Sequence, residues 1–375
     1  MTNKLRLSLA ISAFILLIAC TPKALPSTAA PATPLKVTEV ATQLSYPWGL
    51  AVLPDGSMLV TERDGQLRVI RDGKLVDAPI AGVPAVYNNG QGGLFDIALH
   101  PDFATNKLVY LSFAKGTKDA NHTAIVRGTY DGTRLTNVQN VFDASPDKAT
   151  DAHFGGRMLF LPDKTLILTL GDGYKYRDKA QDLSSDLGKI VRITDTGQPA
   201  PGNPFIGQAG KRPEIYSFGH RNVQGIARDP VYGAIFAHEH GPKGGDEINI
   251  IQAGKNYGWP VITYGVDYSG APISLKSKEP GMEQPITYWV PSIAPSGMAF
   301  YSGDLFPTWK GDLIVTALAG QQLRRVVLDK GLVVRQEVYL TDRGERYRHV
   351  VQAPDGSLLV LTDDAEGKVL RLTPG

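Results

Sequence analysis

The chain has 375 residues and a single cysteine, Cys20, which excludes an intrachain disulfide and a paired-cysteine haem attachment. Strongly helical periodic stretches are nearly absent, so an all-helical domain is excluded as well. Charge of one sign is also missing. Of 39 basic residues, Lys4 and Arg6 lie in the first nineteen positions, and without them 37 bases face 37 acids. A neutral chain argues against nucleic acid as a partner.

One long apolar run occurs, Leu7 to Ala19, and it is too short to span a bilayer as a stable helix. It follows Lys4 and Arg6 and ends in Leu17-Ile18-Ala19, directly before Cys20. This pattern resembles the lipobox of bacterial lipoproteins, which implies a signal peptide over residues 1–19 and lipidation of Cys20. The expected location is the bacterial cell envelope, facing the periplasm or the cell exterior, with a lipid anchor as the only membrane attachment. Residues 20–34 are mostly Pro, Ala, Ser and Thr, a composition that forms a tether rather than a core. Residues 35–375 show no second linker and read as one domain.

Within that domain, glycine (40 in the whole chain) and proline (26) punctuate short β-branched runs. A hairpin unit recurs six times, starting at Gly49, Phe95, Arg157, Val223, Gly297 and Arg348. In the first unit, Gly49 to Val52 is followed by Pro54-Asp55-Gly56 and Met58 to Thr61; the last repeats the turn as Pro354-Asp355-Gly356. No unit buries its hydrophobic face alone, so the expected fold is all-β: a six-bladed β-propeller of four-stranded antiparallel blades. Lys36 to Gln43 is the expected strand that completes the last blade, and a β-sandwich is the alternative. Long polar and aromatic insertions at 115–151, 173–214 and 238–295 are where function is expected.

Eight local patterns stand out: Gly90-Gln91-Gly92-Gly93, His153-Phe154-Gly155-Gly156, Gly171-Asp172-Gly173, Gly219-His220-Arg221-Asn222, His238-Glu239-His240-Gly241-Pro242, Gly244-Gly245-Asp246-Glu247, Lys255-Asn256-Tyr257-Gly258-Trp259-Pro260 and Arg346-Tyr347-Arg348. In this order, on this repeat framework, they resemble the soluble pyrroloquinoline quinone (PQQ) dependent aldose and glucose dehydrogenases over nearly the whole of residues 35–375. The resemblance implies oxidation of an aldose sugar at its anomeric carbon to a lactone, with PQQ and calcium as cofactors and an unidentified external electron acceptor.

It also implies roles. His153 corresponds to the general base, for which a neutral imidazole has a suitable pKa, and Asp172 is its natural orienting partner. PQQ is a planar tricarboxylate, so its pocket calls for guanidinium forks and amide donors; Arg221, Arg346, Arg348, Gln91 and Asn222 supply them. Tyr268 is expected over the planar cofactor or sugar, in an aromatic wall with Tyr264 and Trp289. The backbone of Leu318 and Ala319 borders the cofactor where glucose-oxidising relatives place a lysine. The carbonyl oxygens of Gly241 and Pro242 correspond to ligands of the cofactor's calcium, and Glu247 with the Tyr257 carbonyl to a second calcium.

Other readings stand beside these. His238 and His240 could suggest zinc, although no third well-spaced ligand follows, and loop packing or pocket lining accounts for them. A calcium-dependent lactonase or a non-catalytic binding propeller uses the same scaffold. Hydrolysis would need no redox cofactor and no group of three arginines.

Overall fold

The computed structural model describes residues 33–375; the calls on the signal peptide, Cys20 and most of the tether lie outside these residues. Each hairpin unit folds because its turn chemistry is local. Asp55 Oδ1 accepts from Ser57 N (3.0 Å) and Ser57 Oγ (2.6 Å), and Gly56 takes a positive φ of 84° that an L side chain would resist. Asp355 and Ser357 repeat these bonds in the last unit, and Asp163 with Thr165 repeats them in the third.

Six four-stranded sheets result, each antiparallel throughout; five are joined in simple sequence order, and the last takes its outer strand from the start of the domain. The first strands of the blades are Pro47–Val52, Leu94–Leu99, Met158–Phe160, Val223–Arg228, Pro295–Phe300 and Tyr347–Gln352, and each touches the first strands of its two neighbours, forming a ring. Leu35–Leu44 closes that ring. It pairs antiparallel with Gly367–Pro374, placing Leu35 opposite Pro374 and Val37 opposite Leu372, so the two ends of the domain share blade six. The fold is the six-bladed propeller, not a sandwich.

The core lies between blades rather than within them. Alternation along a strand sends successive side chains to opposite faces. In blade three, Leu166 and Leu168 pack with Tyr110 and Ile125 of blade two, whereas Ile167 packs with Ile226 and Ile235 of blade four. Six such clusters fill the six interfaces.

One unit differs from its sequence pattern. The expected strand Arg157 to Leu161 shortens to Met158–Phe160 because Gly155 and Gly156 adopt φ of 70° and 101°, which breaks the ladder before Arg157. A Cβ on Gly155 would lie 2.5 Å from the Thr169 carbonyl oxygen, and one on Gly156 would lie 2.8 Å from the Phe95 ring. Released from the strand, Arg157 turns into the axis of the propeller.

Candidate active site

The loops at one end of the axis carry most of the patterned residues. His153 has a left-handed backbone (φ 52°) and is fixed by a bond from its own N–H to Gln91 Oε1 at 2.8 Å. Its Nδ1 lies 2.6 Å from Asp172 Oδ1, and both side chains are buried. The same carboxylate receives the Tyr174 N–H on Oδ1 (2.7 Å) and the Trp259 indole N–H on Oδ2 (2.7 Å).

Removal from water pushes Asp172 up, but the hydrogen bond from His153, the charge of Arg221 and the Tyr174 N–H outweigh it and hold the carboxyl below its usual range. An ionised carboxylate only accepts, so the proton of neutral His153 sits on Nδ1 and Nε2 keeps its lone pair. Burial lowers the His153 pKa; the Asp172 bond opposes this, and Arg221 and Lys148 add to it. The imidazole is therefore neutral at pH 7.

Three cavities meet here. The first, about 170 Å³, is lined by Arg63, Gln91, Asn222, His240, Arg346 and Arg348, with Trp48, Phe95 and Phe154 giving it aromatic surface and Leu318 a further apolar contact. A second, about 280 Å³, opens over His153 and Asp172 and takes Arg221, Pro242, Trp259, Asp267 and Tyr268 into its wall. Successive residues His153-Phe154 and Arg221-Asn222 divide between the two. The third, about 20 Å³, has room for one ion or water and collects Glu239, Gly241, Glu247 and Tyr257.

The loop that delivers Arg221 is rigid. His220 is fully buried, stacked on Tyr257 at 4.8 Å, and bonded through Nδ1 to Glu239 Oε1 (2.9 Å) and through Nε2 to Ser217 Oγ (2.9 Å). Glu239 Oε2 accepts the Arg221 N–H at 2.5 Å, and Arg221 Nη1 donates to the carbonyls of His240 (3.1 Å) and Gly241 (2.9 Å). The Gly241 oxygen thus has one lone pair left for a cation. Asp246 ties this loop down, accepting from Gly241 N, Ser292 Oγ, Ile293 N and Ala294 N.

Arg346 and Arg348 each fork onto a different oxygen of Asp363, at 3.0–3.1 Å and 2.9–3.2 Å. Burial, reinforced by the Glu239 charge, pushes the Glu247 carboxyl up to about 8.

Some expected residues fall elsewhere. Ala319 is exposed and lines none of these cavities, because Leu318 N is bonded to the Ala294 carbonyl and only Leu318 faces inward. Of the expected aromatic wall only Tyr268 borders the site. Trp289 is buried in blade packing and donates to Gln336 Oε1 at 2.9 Å, and Tyr264 stacks on Tyr288 at 3.9 Å. Sequence reasoning missed Trp259, Arg63, Asp363 and Glu239 as site residues. Trp259 and Glu239 lie inside motifs already noted, whereas Arg63 and Asp363 have no local signature.

His238 is buried and, among the described residues, has no partner on either ring nitrogen, while His240 and His349 are half-buried. His240 Nε2 bonds the Pro295 carbonyl at 2.7 Å. Burial draws His238 down to about 3, and burial likewise draws His240 and His349 well below 6.5. In the unfolded chain each histidine takes a proton below about pH 6.5, and the folded state refuses it, so stability is full above that pH and falls as pH drops. His238 is expected to cost on the order of 2 kcal/mol by pH 5, and His240 and His349 act in the same direction. A melting temperature unchanged between pH 7.5 and 5 would contradict this.

The sequence model of the Glucose / Sorbosone dehydrogenase family matches residues 44–371. The aldose sugar dehydrogenase YliI of Escherichia coli is 44% identical over 369 residues, covering 97% of this chain and 98% of its own. The crystal structure of a soluble aldose sugar dehydrogenase (Asd) from Escherichia coli, in the apo form, superposes with a TM-score of 0.88 at 43% identity, over 91% of this chain and 100% of that one. A PQQ-bound aldose sugar dehydrogenase from Streptomyces coelicolor superposes with a TM-score of 0.76 at 33% identity, over 92% of this chain and 99% of that one. With a match spanning all six blades and relatives aligned over nearly their full length, this chain belongs to the glucose/sorbosone dehydrogenase family.

Proposed function

We propose that the protein oxidises aldose sugars at the anomeric carbon to lactones, using PQQ and calcium, with His153 as general base. The observation that carries this reading is the buried His153–Asp172 pair facing one cavity beside a second, cation-rich cavity. Bound PQQ supplies an ortho-quinone that accepts hydride, and bound calcium supplies polarisation of a quinone oxygen.

The protein's own residues do the rest. Arg346, Arg348, Gln91 and Asn222 present fork and amide donors to a planar polyanion, and Arg221 adds a cation from the side of the second cavity. His153 Nε2 takes the proton of the sugar's anomeric hydroxyl as the carbon beneath loses hydride, so no protonated carbonyl is left. Asp172 holds the ring in the required tautomer and stabilises the imidazolium that forms. Tyr268, exposed at the mouth, offers a face for a sugar ring.

Two sets of oxygens suit calcium: the carbonyls of Gly241 and Pro242 beside the cofactor cavity, and Glu247 with the Tyr257 carbonyl in the third cavity. Calcium at 100 times its Kd is expected to stabilise the fold by about 2.7 kcal/mol per site. Glu247→Gln is expected to lower the increase in melting temperature produced by calcium. An undiminished increase would remove Glu247 from the metal site. Export and lipid anchoring at Cys20 belong to the same proposal, and place the reaction at the envelope with an external acceptor.

The test is sugar-dependent dye reduction by purified protein, with and without added PQQ and calcium. Activity that requires PQQ is the expected result. No turnover across a panel of aldoses despite bound PQQ, or lactone hydrolysis in cofactor-free protein, would overturn the assignment.

A further inference from the structure

The first cavity has more positive charge than its own residues balance. Arg346 and Arg348 share one carboxylate, Asp363, between them. Arg63 lines the same cavity, and among the described residues its guanidinium has neither a hydrogen bond nor an ion pair. Its Cζ stands over the Tyr46 ring, 4.5 Å from the centroid, a contact that holds the guanidinium without using its N–H groups. The remaining polar lining, Gln91, Asn222, Gln224 and the neutral His240, carries no charge, and Leu318 is apolar.

The position of Arg63 is built rather than incidental. Its carbonyl accepts the Leu94 N–H at 3.0 Å and its own N–H donates to the Tyr46 carbonyl at 3.2 Å, which locks it between blades one and two. Gly93, at φ 142°, makes the approach feasible: a Cβ there would stand 2.0 Å from the Arg63 oxygen and 2.7 Å from its Cγ. The last glycine of the Gly90-Gln91-Gly92-Gly93 motif therefore makes room for this arginine, while Gln91 of the same motif holds His153.

We propose that Arg63 is a carboxylate-binding residue of the PQQ site, the unpaired third guanidinium of a cavity whose three forks meet a tricarboxylate. This rests on the PQQ reading above. A preformed fork with no internal partner gives up no existing bond when an anion arrives, so it contributes to affinity at little cost.

The experiment is titration of PQQ into the calcium-loaded apoprotein, followed by quenching of tryptophan fluorescence, which Trp48 in the cavity wall makes sensitive. Arg63→Gln is expected to weaken PQQ binding by about 10- to 100-fold and to flatten its dependence on ionic strength. Arg63→Lys, which keeps the charge but loses the fork, is expected to recover part of the affinity and the full ionic-strength dependence. Wild-type affinity and salt dependence in both variants would overturn the role of Arg63 and leave the cofactor reading intact. Failure of the wild-type protein itself to bind PQQ would overturn the cofactor reading instead. Circular dichroism confirms that the variants are folded, and Arg63→Lys, which retains the stem over Tyr46, decides the question if the glutamine variant is not.

Discussion

Replacing His153 by alanine is expected to lower kcat between about 100-fold and 10,000-fold, with KM for the sugar changed little, because the side chain acts on the proton that leaves in the transition state. Asp172→Asn is expected to lose on the order of 1,000-fold, for a reason visible in its surroundings. Both carboxylate oxygens face donors: Oδ1 meets Tyr174 N–H and His153 Nδ1, and Oδ2 meets the Trp259 indole. An asparagine keeps one oxygen. Whichever way it is turned, its NH2 group confronts a donor, and with that group toward His153 the ring is driven to the tautomer that protonates Nε2. The residual activity of Asp172→Asn carries a second signature. Asp172 raises the His153 pKa against the lowering by burial, so its removal moves the acid limb of kcat/KM to still lower pH. A variant with wild-type kcat, or an acid limb shifted upward, would show that His153 is not the base. The measurement is a pH–rate profile of PQQ-loaded enzyme for the wild type and both variants.

What the sequence showed and what it hid separate by the range of the interaction. The hairpin units were legible because Asp55, Gly56 and Ser57 make their turn within three successive residues, and because alternation at Leu166, Ile167 and Leu168 records which blade interface each faces. Blade closure was legible too, since only a strand before the first unit can complete the last sheet. The pairing of His153 with Asp172 was anticipated from motifs 19 residues apart. Trp259 reaches Asp172 across 87 residues, and nothing in its neighbourhood signals that bond. Arg63 and Asp363 enter the first cavity from opposite ends of the chain, where they read as ordinary strand-end charges. The aromatic wall failed for a related reason: Trp289 belongs to the fourth strand of a blade, far from the axis, Tyr264 stacks on Tyr288 of that strand, and only Tyr268 of the same insertion folds over the site.

The largest effect on stability is expected at Arg157, which no motif distinguished. Its buried guanidinium stands at the axis and bonds to all five other blades: Nε to the Gln224 carbonyl (2.9 Å), Nη1 to the Trp48 carbonyl (3.4 Å) and Asp96 Oδ1 (3.2 Å), and Nη2 to the carbonyls of Ser296 (2.9 Å) and Arg348 (3.1 Å). The Trp48 ring covers it at 3.8 Å. Burial draws its pKa down to about 10, which still leaves it charged at neutral pH. Arg157→Met removes the one group that answers four inward-pointing carbonyls and a buried carboxylate. Breaking such a pair costs about 3–5 kcal/mol before the orphaned carbonyls are counted, so the variant is expected to lose most of the stability of an ordinary domain. Asp96→Asn in the same background should restore part of the loss, because the uncompensated charge is then gone, whereas Asp96→Asn alone should destabilise by leaving Arg157 unpaired. Urea denaturation of the two single variants and the double variant measures this coupling. A midpoint for Arg157→Met within about 1 kcal/mol of wild type would mean that water replaces the side chain in the channel and that the ring is held by its blade interfaces alone. The expected loss has a functional consequence, since Arg157 also fixes the backbone of Arg348 from below. Arg157→Lys, which retains the charge but not the five-way fork, should therefore weaken PQQ binding even where the blades stay assembled.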